Sequence, residues 1–174
     1  HRHNRLPLPP EEETISMYQT ACQKLNDAGF RHYELQNFSR PGYESTHNRR
    51  YWNHQEYLGF GAGAYSYTNS ERFGYNKSAS EYLKNGKKGL FTPSIVEWIT
   101  DDLKIKESII LGLRMRDGID LRMLEKIHGF KIEQEKIEIL DRLAQQGLLE
   151  RSNTWYRLSP QGELLSETVA SELA

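Results

Sequence analysis

Cysteine is nearly missing from this sequence: Cys22 is the only one in 174 residues. A single thiol excludes an internal disulfide framework and any metal site built from cysteines alone. An excess of either charge is also missing, with 23 Lys and Arg against 24 Asp and Glu. No global field therefore favours nucleic acid or an anionic membrane. No apolar run approaches membrane-spanning length, and the opening HRHNRLPLPP has no apolar signal-peptide core. The nucleophile motif G-x-S-x-G is absent, and Cys22 falls on an apolar helix face. The cytoplasm is the default compartment for such a chain. Its length suits one domain or two small ones. The opening strip is Pro-rich and basic, has no methionine start, and reads as the middle of a longer protein.

What is present is punctuated clearly. Pro9-Pro10 and then Glu11, Glu12 and Glu13 start a helix, since proline suits the first turn and acids complement the dipole. Ile15, Tyr18, Cys22 and Leu25 recur on one helical face, and Gly29 closes it. FRHYELQ alternates as a strand, with Tyr33 and Leu35 on one side and His32, Glu34 and Gln36 on the other. NFSRPG reads as a loop, YLGF as a short strand running into Gly59, Gly61 and Gly63, and RFGYN as another strand. Ser78 and Glu81 form a capping box for a short helix ending at Gly86. Character changes near Gly89, and a domain boundary is placed at residues 88 to 92. Thr92-Pro93 opens a helical region through Val96 and Trp98. A longer helix then carries Leu103, Ile109, Ile110 and Leu113 to about Arg114. Asp120 caps a helix with Leu121, Leu124 and Ile127 inward, closed by Gly129. A third helix with Ile132, Ile137, Leu140 and Ala144 inward ends at Gly147. LLERSNTWYRLS is a hairpin, and Ser159-Pro160 starts a last helix through Leu165, Val169 and Leu173. Three helices, a hairpin and a closing helix is winged-helix order.

That order invites a DNA-binding reading, but the third helix is slightly acidic. Lys131, Lys136 and Arg142 face Glu133, Glu135, Glu138 and Asp141, whereas DNA contact needs a cationic surface. No nucleic-acid partner is expected. The densest chemistry lies in HNRRYWNHQEYLGFGAGAYSY, residues 47 to 67. Its GFGAGA run departs from the dinucleotide fingerprint in the place of the third glycine and in lacking a following helix pattern. It reads as a tight strand-end turn rather than a ligand cradle. His47 and His54 are seven residues apart, roughly 10 Å along a helix, too far for one small metal ion. A single histidine as axial haem ligand needs no such partner, and Tyr51 and Trp52 could stack on a flat macrocycle. The alternative is that His47 and Asn48 fix a loop while Tyr51 and Trp52 plug a barrel end. From chemistry alone that alternative leads.

Taken together, YELQNFSRPGYESTHNRRYW, YLGFGAGAYSY, ESIILGLRMRDGID and GLLERSNTWYRLSPQGELL resemble one family. It is the radical S-adenosylmethionine (SAM) proteins related to oxygen-independent coproporphyrinogen III oxidase, and the resemblance covers essentially the whole chain. It implies a fold class of α/β plus mainly α. Residues 1–90 would be the C-terminal portion of a partial (β/α) radical-SAM barrel, and residues 91–174 a winged-helix-like C-terminal domain. It implies SAM and an iron–sulfur cluster in the parent protein, with the cluster cysteines upstream, so that this stretch alone is no enzyme. H-N-x-x-Y-W resembles the haem chaperone branch, which makes His47, Asn48, Tyr51 and Trp52 candidate haem-binding residues and His47 the candidate iron ligand. QNFSR matches the family's S-N-F-A-R and makes Asn37, Phe38 and Ser39 candidate cofactor neighbours. Gln36, Ser39, Ala62 and Tyr65 depart from the usual Ser, Ala, Pro and His. The implied function is a chaperone that binds haem and transfers it to a haem-receiving protein. The alternatives are an anaerobic oxidase acting on coproporphyrinogen III propionates, and a winged-helix interaction module. A barrel cut mid-sheet would expose a strand edge through which copies could pair into an oligomer.

Overall fold

The computed structural model describes residues 8–75, 77–90 and 92–174; the opening strip up to residue 7 lies outside them. Helix α1 (Glu11–Asp27) starts after Pro10 with its three acids in the first turn. Ile15, Tyr18, Cys22 and Leu25 are its half-buried face, while its other residues are exposed. Gly29, at φ 79°, ends it, and the Phe30 N–H closes the turn on the Leu25 carbonyl at 2.9 Å.

Strand β1 (Arg31–Glu34) follows at once and pairs antiparallel with β2 (Asn37–Ser39). The loop expected at Asn37–Ser39 is therefore a strand. The two residues Leu35 and Gln36 suffice to turn the chain, and a turn this short can only join antiparallel strands. On its other side β1 meets the chain beyond residue 113: Leu35 N–H donates to the Arg114 carbonyl at 3.0 Å and Arg116 N–H to the Tyr33 carbonyl at 3.1 Å. Glu34, expected on the outer side, is fully buried. Alternation assigns one wet face to a strand, but here α1 packs on β1, with the Tyr18 hydroxyl donating to the Leu35 carbonyl.

Helix α2 (Thr46–Trp52) leads through an irregular stretch to β3 (Tyr65–Thr68), β4 (Glu71–Gly74), helix α3 (Ala79–Lys87) and β5 (Ile95–Trp98). Ser78 caps α3 as expected, accepting from Glu81 N–H. The three strands form an antiparallel sheet in the order β3-β4-β5. YLGF is no strand: only Tyr57 makes a bridge, with Tyr67. The helix expected through Val96 and Trp98 is strand β5, paired with β4 at Phe73↔Val96 and Glu71↔Trp98. The helix start lies later, where Thr100 accepts from Leu103 N–H at 3.3 Å. Ile95, Val96 and Trp98 remain exposed along this edge.

The last part runs α4 (Asp101–Gly112), β6 (Ile119–Asp120), α5 (Leu121–His128), α6 (Gln134–Gln145), β7 (Leu149–Ser152), β8 (Trp155–Leu158), α7 (Pro160–Leu164) and α8 (Ser166–Leu173). The sheet order is β6-β8-β7, again antiparallel. Asp120 caps α5 as read from sequence. The single closing helix is two, broken at Leu165 (φ −110°, ψ 27°). Ile109, Leu140, Leu143, Tyr156 and Val169 are the most deeply buried members of one core, which Leu35 from the β1–β2 turn also joins. Ile127, expected inward, is 66 % exposed.

Lys136 of α6 reaches both Glu133 and Asp102, tying α6 to the start of α4. The hydrogen bond from Lys136 holds the Asp102 carboxyl below its ordinary range. A depressed folded pKa gives stability that is present above the unfolded value, about 3.9, and is lost as pH falls through the folded one. Asp102→Asn is expected to flatten this acid limb at a cost near neutrality of no more than about 1 kcal/mol, because the Asp102 side chain is exposed. Urea melts of both proteins across the acid range check it; parallel stability–pH curves would count against the pairing.

Candidate functional site

Helix α2 carries the motif HNRRYW. Ser45 caps it, its hydroxyl accepting from Asn48 N–H at 3.2 Å. At the other end His54 N–H donates to the Tyr51 carbonyl and Gln55 N–H to the Arg50 carbonyl. That closure places a left-handed residue after the helix, the position usually filled by glycine. Here it is His54, at φ 50°.

The structure separates the motif's side chains. Tyr51 and Trp52 line a cavity of about 380 Å³ with His54, Gln55, Tyr57, Tyr67, Arg72, Glu107, Ile110 and Leu111. His47 is exposed and is not part of the lining; its ring lies edge-on to Tyr51 with centroids 4.8 Å apart. Rings then follow one another inward: Tyr51 to Tyr57 at 4.3 Å, Tyr57 to Tyr67 at 6.3 Å, and Tyr67 to His54 at 4.8 Å. Asn48 is half-buried and its backbone serves the helix cap. Trp52 stands beneath the guanidinium of Arg114, 4.4 Å from its ring centre, and its indole N–H is buried without a partner.

The polar end of the cavity is one network. Glu107 of α4 accepts from His54 Nε2 at 2.9 Å and forms a close ion pair with Arg72 of β4, which also reaches Glu97 at 3.0 Å. Burial works against the Glu107 carboxylate, yet the hydrogen bonds from His54 and Arg72 outweigh it and hold its pKa below the ordinary range. Burial raises the hydroxyls of Tyr57 and Tyr67, so both stay neutral donors. The side chain of His54 is 3 % exposed, and its Nδ1 is buried with no hydrogen-bond partner. Sequence reading missed Arg72 and Glu107. They lie 35 residues apart, Glu107 lies 53 from His54, and each alone reads as an ordinary surface charge.

Asn37, Phe38 and Ser39 do not line this cavity. They sit on β2, where the Asn37 amide is held by the Glu34 carboxylate, Phe38 stacks on His32 at 4.2 Å, and the Ser39 hydroxyl is buried without a partner. The glycines after Tyr57 make a tight turn rather than a cradle. Gly59 N–H donates to the Ser66 hydroxyl at 3.0 Å, and a Cβ on Gly59 would overlap the Tyr65 carbonyl. Among the described residues no group of three or more His, Cys, Asp or Glu is placed to share a metal ion. None of the described helices is long and apolar enough to cross a membrane.

These elements match known proteins. The structure of coproporphyrinogen III oxidase (HemN) from Escherichia coli, a radical SAM enzyme, superposes with a TM-score of 0.75 at 18 % identity, covering 95 % of this chain and 42 % of that one. At that identity the likeness shows the fold, which is that of the C-terminal part of HemN. Residues 99–165 match the family model described as the HemN C-terminal domain. Heme chaperone HemW from Bacillus subtilis (strain 168) is 32 % identical over 165 residues, 95 % of this chain and 44 % of its own length. Its counterpart from Lactococcus lactis subsp. lactis is 33 % identical over 173 residues, 97 % and 44 %. By these matches the chain is similar to HemN-family radical SAM proteins, with HemW chaperones among its relatives. It spans less than half the length of those curated relatives.

Proposed function

We propose that this chain is the haem-binding part of a haem chaperone, which holds haem beside α2 and passes it to a haem-receiving protein. The observation that carries this reading is the placement of HNRRYW. It sets an exposed imidazole, His47, against the outermost of a run of aromatic rings that lines a cavity. Haem iron takes an axial histidine, and the flat macrocycle stacks on aromatic faces. His47 is assigned as iron ligand, Tyr51 and Trp52 as stacking residues, and Asn48 as the residue that sets the start of α2. Haem supplies the iron; the chain supplies the nitrogen, the ring surface and shielding from water.

Asn37, Phe38 and Ser39 are proposed as neighbours of SAM in the parent protein, with the unpartnered Ser39 hydroxyl in support. The cluster is another matter. Cys22 is the sole cysteine, so these residues do not supply the ligands of an iron–sulfur cluster. We read residues 1–90 as the last portion of the partial barrel and residues 91–174 as winged-helix-like, on the helix–strand–helix–helix–hairpin order. A role for that part on DNA has no support: Lys131, Lys136 and Arg142 are each held by a carboxylate, on Glu125, Asp102 and Glu172.

Optical titration of the full-length protein with hemin tests the reading. Wild type is expected to give a saturable Soret shift at one haem per chain, and His47→Ala to weaken it at least about tenfold with a changed band position. Loss of an exposed side chain leaves the fold intact, so an unchanged spectrum and affinity in His47→Ala would remove the assignment.

A further inference from the structure

His54 has three unusual properties at once. It occupies a left-handed backbone position that most side chains avoid. Its side chain is nonetheless buried at the end of a surface helix. One ring nitrogen is fully used and the other is idle: Nε2 meets the Glu107 carboxylate at 2.9 Å, and Nδ1 is buried with no partner. An ionised carboxylate can only accept, so the proton of the neutral ring sits on Nε2. Nδ1 then carries a bare lone pair. Leaving such a group buried and unsatisfied is costly, and a native fold that retains one calls for an explanation.

The carboxylate behind the ring supplies one. A histidine that binds a metal through one nitrogen commonly donates its other N–H to a carboxylate, which fixes the tautomer and raises ligand basicity. Glu107 holds that place, and Arg72 on its far side keeps it ionised and oriented. We propose that His54 is a second iron-ligating nitrogen, acting through Nδ1 from the wall of the aromatic cavity, with Glu107 and Arg72 as its positioning residues. This assignment rests on the haem reading and deepens it. His47 and His54 mark the two ends of the ring series Tyr51, Tyr57 and Tyr67. The exposed histidine is the outer station, and the buried one is the inner station.

Hemin titration of the full-length protein, comparing wild type with His54→Asn and Glu107→Gln, tests this. Asparagine tolerates the left-handed backbone, so His54→Asn preserves the turn. The expected result is a changed Soret position and spin state in His54→Asn, with imidazole restoring the wild-type spectrum. Glu107→Gln is expected to bind haem about 10-fold more weakly. A wild-type spectrum in His54→Asn overturns the His54 assignment and leaves His47 standing. No saturable shift in the wild type overturns both. A readout without haem is the ring ¹⁵N spectrum of His54: the Nε2–H tautomer is expected, and the Nδ1–H tautomer overturns the proposal however haem binds.

Discussion

Glu107→Ala is expected to lower the stability of the protein by about 2–3 kcal/mol, roughly 5–10 °C in midpoint for a chain of this size. The change removes the one acceptor shared by His54 and Arg72. His54 would then be buried with both ring nitrogens unsatisfied, and each such atom carries its own desolvation cost. Arg72 keeps Glu97 and is 26 % exposed, so water repays part of its loss; that sets the figure below the cost of a fully buried broken pair. Because the network joins α4 to β4 and to the end of α2, the aromatic cavity should loosen as well. Thermal melts check the first part, and exchange protection of Tyr57 and Tyr67 amides, which bond each other's carbonyls at 2.9 Å, checks the second. A loss under about 0.5 kcal/mol, the range of ordinary surface changes, would show that the three groups do not act together.

Gly118→Ala is expected to cost about 3 kcal/mol. Gly118 turns the chain from α4 into β6 at φ 71°, and a Cβ there would overlap the Tyr156 carbonyl and the Arg157 side chain. Two costs add: the left-handed backbone, about 1 kcal/mol, and displacement of β8, which Ile119↔Tyr156 pairing holds in place. Gly129→Ala separates them. It sits at φ 80° with open space where its Cβ would stand, so it should lose only the first amount. Denaturant melts of the pair give the difference directly. Equal losses would mean that the close approach of β6 to β8 carries no weight.

Both sites show what a sequence can disclose. Caps and stops are local, and Ser78, Asp120, Gly129 and Gly147 mark helix ends that the structure keeps. The hairpin β7–β8 is equally local, with Asn153 at φ 57° in its turn. Strand β5 was not legible, because Thr92-Pro93 is a good helix start and only pairing with β4, more than 20 residues earlier in the register, makes residues 95–98 extended. Glu34 reads as an outward residue until α1 and the 114–116 segment cover it. In the candidate site, HNRRYW was visible as a cluster of aromatic and imidazole groups. The divergence of His47 outward and Tyr51 and Trp52 into the cavity is set by the helix's seat against α4. Arg72 and Glu107 were invisible, since what makes them special is each other and His54, which only tertiary packing brings together.

The central claim is that haem iron is held beside α2. Anomalous scattering at the iron edge from crystals of the full-length protein grown with hemin tests it most directly. A haem iron peak is expected at bonding distance from a ring nitrogen of His47 or His54, apart from the iron of the cluster implied for the parent protein, with the macrocycle against Tyr51 and Trp52. A well-occupied haem seated elsewhere, with neither histidine on its iron, would contradict it.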